Sequence, residues 1–195
     1  MRFSKDHKAA TREKIVETAA KRFRQDGIDG VSVPALMKDI GLTHGGFYAH
    51  FPSKDALVTE AISAGMVQAV TMLATLVPAD AADPIHGFVD AYCSAQHRDA
   101  PGSGCAIAAL SGDVARHSPE VRAEMIAQVE AAIGRLAAVA EPLGDLDRND
   151  VAAGTLAGVV GAIVLSRMCR DDAALSDRIL SASRRLLTAS PTPAA

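Results

Sequence analysis

Wherever the chain has a hydrophobic period, that period is helical. From Thr11 onward, Ile15, Ala19 and Phe23 recur four apart with Val16 and Ala20 beside them, a spacing that lines up side chains on one face of a helix. No segment of useful length alternates with the period of two that a half-buried strand requires, and no internal repeat is present. Composition explains the bias. Hydrophobic residues make up 49% of the 195, but aromatics only 4%. Ala and Leu carry most of the apolar content and few strand-forming side chains remain. The expected fold class is all-α.

Glycine, proline and capping residues divide this pattern into about nine helices. Thr11 is the expected N-cap of the first and Gly27 its end. Ser32 caps a second, with Pro34 in its first turn, where a missing N–H costs nothing. Gly41 separates it from a third over His44–Phe51, and Pro52-Ser53 leads into a fourth from Lys54 to about Leu76. Later helices are expected at about 85–98, 104–116, 119–141, 148–170 and 173–189. The domain reading is a small unit over 1–52, a larger one over 53–190, and a disordered tail at 191–195.

The net charge of −3 conceals an asymmetry. Residues 1–24 hold eight Lys or Arg against three acids, whereas residues 61–195 hold ten Arg against fifteen Asp or Glu. A basic end on an acidic body points to a polyanion partner at that end. Cys93, Cys105 and Cys169 are too few and too scattered for a disulfide framework or a paired zinc site, which suits a reducing cytoplasm. Met1–Lys14 is charged throughout and does not read as a signal peptide. Val151–Leu165 is the longest apolar stretch and is interrupted by three glycines. A membrane span needs about 20 residues, so it reads as a buried helix and no membrane partner is expected.

Residues 32–51 carry the most specific pattern: a two-turn helix, a glycine turn and a second short helix, the arrangement of a helix-turn-helix. On a helical wheel Phe47 and Phe51 face inward. Gly45, Gly46 and Ala49 face outward, flanked by Tyr48 and His50, with His44 at the N-terminal end. Two glycines and an alanine let backbone approach base edges but supply few side-chain hydrogen bonds. His44 is suited to a guanine edge and Ala49 to a thymine methyl, with Tyr48, His50 and Lys54 placed for phosphates. The basic arm before Thr11 would reach a neighbouring groove or add non-specific affinity.

The run Gly-Leu-Thr-His-Gly-Gly-Phe-Tyr-Ala-His-Phe-Pro-Ser-Lys-Asp-Ala-Leu at 41–57 resembles the TetR family of one-component regulators, and the match covers residues 11–57. The resemblance implies that Thr43, His44, Gly45, Gly46, Tyr48, His50 and Lys54 form the DNA surface, and that Phe47 and Phe51 are core; Ser32, at the start of the second helix, is expected to join that surface. Gly46 departs from the Thr, Ser or Ala usual there. The resemblance further implies a homodimer built by the last two helices on a palindromic operator, a small-molecule effector that releases it, and no catalysis. Gly154, Ala157, Gly158 and Gly161 form a small-residue stripe suited to close helix approach, with Ile179, Ser183 and Leu186 on its neighbour. An activator, or a small-molecule-binding protein that has lost DNA recognition, are the rival readings.

Beyond the helix-turn-helix the candidates are weaker. Cys105 follows the Pro101–Gly104 turn. If Ser103 caps the next helix, its thiol lies in the first turn and suits a reactive sensor. Phe88 and Tyr92 are the only aromatics beyond residue 51, so an effector pocket near them should be largely aliphatic and take a small hydrophobic molecule. His86, Asp90, Cys93 and His97 share one helical sector, but a single stripe cannot surround an ion; no metal or cofactor is expected. Ser111, Asp113 and His117 sit close in sequence without a nucleophile elbow or oxyanion donors.

Overall fold

The computed structural model describes residues 5–77 and 83–189; the tail expected at 191–195 lies outside them. Among the described residues there are ten α-helices and no strand. The all-α expectation holds, with one helix more than counted from sequence. The described chain forms two compact units. One comprises residues up to Ala69 together with Pro101–Ile126; the other comprises Val70–Ala100 and the residues after Ile126. This grouping does not follow the sequence division at 52/53.

In the first unit α1 (Lys5–Asp26) begins six residues before Thr11. Thr11 is no cap: its hydroxyl donates to the His7 carbonyl one turn back, at 2.8 Å. The Lys- and Ala-containing stretch ahead of it simply continues the helix. Gly27, at φ 77°, ends α1 in the left-handed conformation. Ser32 caps α2 (Val33–Asp39), its Oγ accepting from Ala35 N at 3.3 Å. Gly41 (φ 75°) turns the chain into α3 (His44–Phe47), shorter than the expected 44–51 because residues 48–50 continue only as turns. Ser53 Oγ accepts from Ala56 N at 3.1 Å at the start of α4 (Lys54–Ala74). Ile15, Phe23, Leu36, Phe47, Phe51 and Ile62 are fully buried core.

The expected helix over 85–98 is two helices, α5 (Pro84–Tyr92) and α6 (Ala95–Asp99). The break falls at Ser94, whose Oγ accepts from His97 N at 3.1 Å and donates to the Ala91 carbonyl at 2.8 Å. A short 3-10 turn at Pro101–Ser103 precedes α7 (Ala106–Val114). Cys105, rather than Ser103, is the N-cap of α7, so its thiol is not in the first turn. α8 spans Pro119–Ala137.

The second unit is built on α9 (Arg148–Met168) and α10 (Ala173–Leu187). They form an antiparallel hairpin. Ser166 and Ser176 are hydrogen-bonded at 2.8 Å near the connection, and at the far end Leu187 packs on Gly158. Asp147 and Asp150 form a capping box at the start of α9. α9 is 21 residues long, and both it and α4 are long and apolar enough to cross a membrane by length and composition. Here α9 packs against α5, α6 and α10, burying Leu156, Val159 and Ile163.

Candidate nucleic-acid interface

α3 has a buried side and an open side. Phe47 and Phe51 stack with ring centroids 5.6 Å apart inside the first unit. Outside, His44, Gly45, Tyr48 and Ala49 are exposed, Tyr48 at 61%. Tyr48 stands edge-on to Phe47 (5.2 Å) and to His44 (5.7 Å), so the buried ring fixes the two outer ones. A Cβ added at Gly45 would meet nothing within 4 Å, whereas one at Gly46 would lie 3.6 Å from Thr43 Oγ1 and 3.8 Å from Met37 Cε. Gly46 is thus half-turned into the protein. Thr43 caps α3 through its backbone only and is exposed.

Other members of the expected surface are already committed. Ser32 Oγ is the α2 cap. Lys54 Nζ donates to the Ile28 carbonyl at 2.6 Å and lies 5.9 Å from the centre of the Phe23 ring. His50 is half-buried, with Nδ1 enclosed and without a hydrogen-bond partner. Burial, then Lys8 and Arg12, hold its pKa below the usual histidine value. Sequence places neither Lys8 nor Arg12 beside His50: Lys8 lies ahead of the helix start expected at Thr11, and Arg12, just inside it, carries no local mark of a partner so far along the chain. Their four-residue spacing was the available signal.

The basic N-terminal end is less free than its charge count suggests. Arg12 pairs with Glu60 and stacks on Phe51, and Arg22 pairs with Asp26 and Asp39. Arg24 is buried and hydrogen-bonded to backbone carbonyls. Lys8, Lys14 and Lys21 remain exposed.

The other candidates divide between the units. Cys105 is buried in the first, 3% exposed. Phe88 (half-buried) and Tyr92 (buried) belong to the second. The second unit also holds a cavity of about 770 Å³ between the start of α5, the start of α9 and the end of α10, with Ile85, His86, Leu143, Leu146, Val151 and Leu187 among its lining. Neither Phe88 nor Tyr92 lines it. His86, Asp90, Cys93 and His97 do not share an exposed stripe: the Ser94 break separates His97, and both Cys93 and His97 are buried. Burial pushes the Cys93 thiol up to about 11. Ser111 donates to the Ile107 carbonyl, Asp113 accepts from Ile28 N, and His117 faces Asp29 and Asp55; each of the three thus has different partners.

On α9 and α10 the small-residue stripe splits by environment. A Cβ at Gly158 would strike Leu187 at 2.8 Å, so this glycine serves the packing of α9 on α10 within the chain. Gly154 and Gly161 face open space, and Ala157 is exposed. Val164, Leu165, Met168 (70% exposed) and Leu186 (77%) are also exposed, while Ile179 and Ser183 are half-buried.

Two family descriptions match the chain: "Bacterial regulatory proteins, tetR family" over residues 15–61 and "Tetracyclin repressor-like, C-terminal domain" over residues 81–182. Among curated proteins, the uncharacterised HTH-type transcriptional regulator YuxN of Bacillus subtilis is 46% identical over 44 residues, 23% of this chain and 15% of that one. An HTH-type transcriptional repressor of Mycobacterium tuberculosis is 41% identical over 54 residues, 28% of this chain and 29% of its own length. The chain thus spans less than a third of the curated relatives it matches. Among solved structures, a TetR-family regulator from Cytophaga hutchinsonii aligns with TM-score 0.75 at 23% identity, over 96% of both chains. A TetR regulator from Chloroflexus aurantiacus aligns with TM-score 0.76 at 21% identity, over 95% of this chain and 98% of that one. The reduced form of Escherichia coli NemR aligns with TM-score 0.75 at 21% identity, over 94% of this chain and 99% of that one.

Proposed function

The chain belongs to the TetR family of bacterial transcriptional regulators, and from that premise we propose that it is a cytoplasmic, effector-released repressor that grips a palindromic operator as a homodimer. The observation that carries this reading is α3: an open outer face of His44, Gly45, Tyr48 and Ala49 over buried Phe47 and Phe51. Such a face lets backbone come close to base edges, with His44 as the main base-reading side chain and Tyr48 on the phosphate backbone. His50 and Lys54 join the phosphate contacts once DNA supplies an anion that competes with their present surroundings. Ser32 and Thr43 contribute from the N-terminal ends of their helices.

Two such faces are needed to read two half-sites about one DNA turn apart. The exposed apolar row of Val164, Leu165, Met168 and Leu186, with open Gly154, Ala157 and Gly161 among it, supports dimerisation by α9 and α10 of each copy. An isologous contact of this kind buries one apolar face on its own copy. Ile179 and Ser183 support the face from within; Gly158 is occupied by Leu187. The effector is a small, largely apolar molecule. The cavity beside Ile85 and Leu146, whose lining also holds Asp83, Glu141 and Asp150, is its best-supported seat, ahead of Phe88 and Tyr92. The burial of Cys105 weighs against an openly accessible sensor thiol.

The test is a gel shift of the full chain against DNA flanking its own gene, across a salt series, alongside sedimentation of the free protein. A sequence-preferring complex that is lost with His44→Ala, and a dimer that Met168→Glu converts to monomer, support the proposal. No sequence-preferring complex at any salt would reject it.

A further inference from the structure

Ile28 is where three parts of the first unit meet. Its side chain is fully buried. Its N–H donates to Asp113 Oδ2 at 3.0 Å, and its carbonyl accepts from Lys54 Nζ at 2.6 Å. One residue of the α1–α2 turn is therefore held by a carboxylate from α7 on one side and by an ammonium from α4 on the other. Hydrogen bonds to ionised groups are roughly twice as strong as neutral ones. The turn is shaped to receive the carboxylate: Gly27 is at φ 77°, and a Cβ there would lie 3.0 Å from Asp113 Oδ2. Arg116 holds the other oxygen of Asp113 at 3.0 Å. Four residues beyond Asp113, His117 stands between Asp29 (3.6 Å) and Asp55 (3.7 Å).

This turn leads directly into Ser32 and α2, so its position sets where α2 and α3 stand. α7 lies within the stretch that matches the C-terminal domain of repressor-like proteins, yet it packs in one compact unit with α1, α2 and α3. We propose that Asp113 is a positioning residue for DNA binding, holding the α1–α2 turn in its operator-gripping place. The inference rests on the DNA-binding reading above. Lys54 is the other half of the device. Its ammonium on the Ile28 carbonyl is the tie that phosphate competes for when DNA binds, which leaves Asp113 as the tie that persists on this turn.

The experiment uses the full chain and two variants. A duplex is first selected from a random pool by the wild-type protein. Affinity for it and for a scrambled duplex is then measured beside thermal melting and hydrogen exchange at the Ile28 amide. Asp113→Ala removes the acceptor. It is expected to weaken the selected duplex roughly ten- to hundredfold, the equivalent of losing one charged hydrogen bond. Scrambled binding, set by phosphate charge, changes little; the melting temperature falls modestly, as one unpaired amide requires, and the Ile28 amide exchanges faster. Asp113→Asn keeps a neutral acceptor oxygen and recovers part of the loss. Wild-type affinity of Asp113→Ala for the selected duplex would overturn the proposal. So would an equal loss on both duplexes in step with a lower melting temperature, which marks a structural role alone. If the wild-type protein enriches no duplex, the DNA-binding reading fails and the latch falls with it, before any variant is made.

Discussion

Each compact unit buries a basic side chain, and the two are treated in opposite ways. Arg24, in the first, is 4% exposed. It donates to the carbonyls of Ala20 (2.9 Å), Gly65 (2.6 Å) and Gly104 (3.0 Å), and to the Gln68 side chain. Burial pulls its pKa down to about 10, against an opposing pull from Cys105, and it stays a cation at neutral pH. His97, in the second unit, is fully buried. Burial pushes its pKa down to about 4, with its bond to the Tyr92 carbonyl opposing and Arg167 adding to the shift. It is neutral at pH 7. Desolvation acts on both in the same direction. The outcome is decided by how far each group starts from neutrality and by how many acceptors gather round it.

That contrast can be broken at either end. Arg24→Ala cuts the ties among α1, α4 and the loop before α7, and strands the loop carbonyl of Gly104. At about 1–3 kcal/mol for a buried group left unpaired, the expected loss is roughly 1–3 kcal/mol, with Arg24→Lys recovering part of it. A melting curve unchanged by Arg24→Ala would mean the carbonyl cage is idle. For His97 the unfolded chain takes up its proton near pH 6.5, and the folded chain only near 4. Stability tied to this residue is complete above about pH 6.5 and drains away as pH falls towards 4. At 1.36 kcal/mol per unit that amounts to about 3 kcal/mol. Denaturant midpoints at pH 7, 5.5 and 4 should show the decline in wild type and a flatter profile in His97→Gln; parallel profiles would end the contrast.

Two glycines, one in each unit, sharpen the comparison further by setting filled space against open space. Gly158→Leu drives a side chain into Leu187 and should cost about 1–3 kcal/mol as overpacking, read as a lower melting temperature. Gly45→Leu enters empty space. It should leave the melting temperature within the effect of about 0.5 kcal/mol usual for surface changes, yet weaken operator binding by about tenfold. Loss of stability at Gly45 would show that the outer face of α3 is not open.

Local backbone signals transferred well from sequence to structure. Gly27, Gly41 and Ser32 act where expected because a left-handed residue or a capping hydroxyl works through its immediate neighbours. The inward turn of Phe47 and Phe51 follows from helical period alone. Legibility fails where two local signals compete or a distant residue decides. Ser94 broke a helix that the apolar pattern would have carried through, and Cys105 displaced Ser103 as cap. Arg24, counted by charge with the polyanion-facing end, is interior because acceptors 41 and 80 residues away surround it. Lys54 is tied to Ile28 and Gly46 leans on Met37; neither pairing is marked in the run 41–57.

The ties from Arg24 to Gly104 and from Ile28 to Asp113 also bear on how this protein can be made or rebuilt. They join residues 80 and 85 positions apart. During synthesis the helix-turn-helix therefore waits, incompletely braced, until the ribosome has delivered α7, a non-local closure of the kind that slows folding. A chimera spliced after α4, giving this headpiece to another regulator, would inherit the helices that meet DNA without the carbonyl and carboxylate that hold them. Such a graft keeps both ties only when residues 101–126 travel with the first 69.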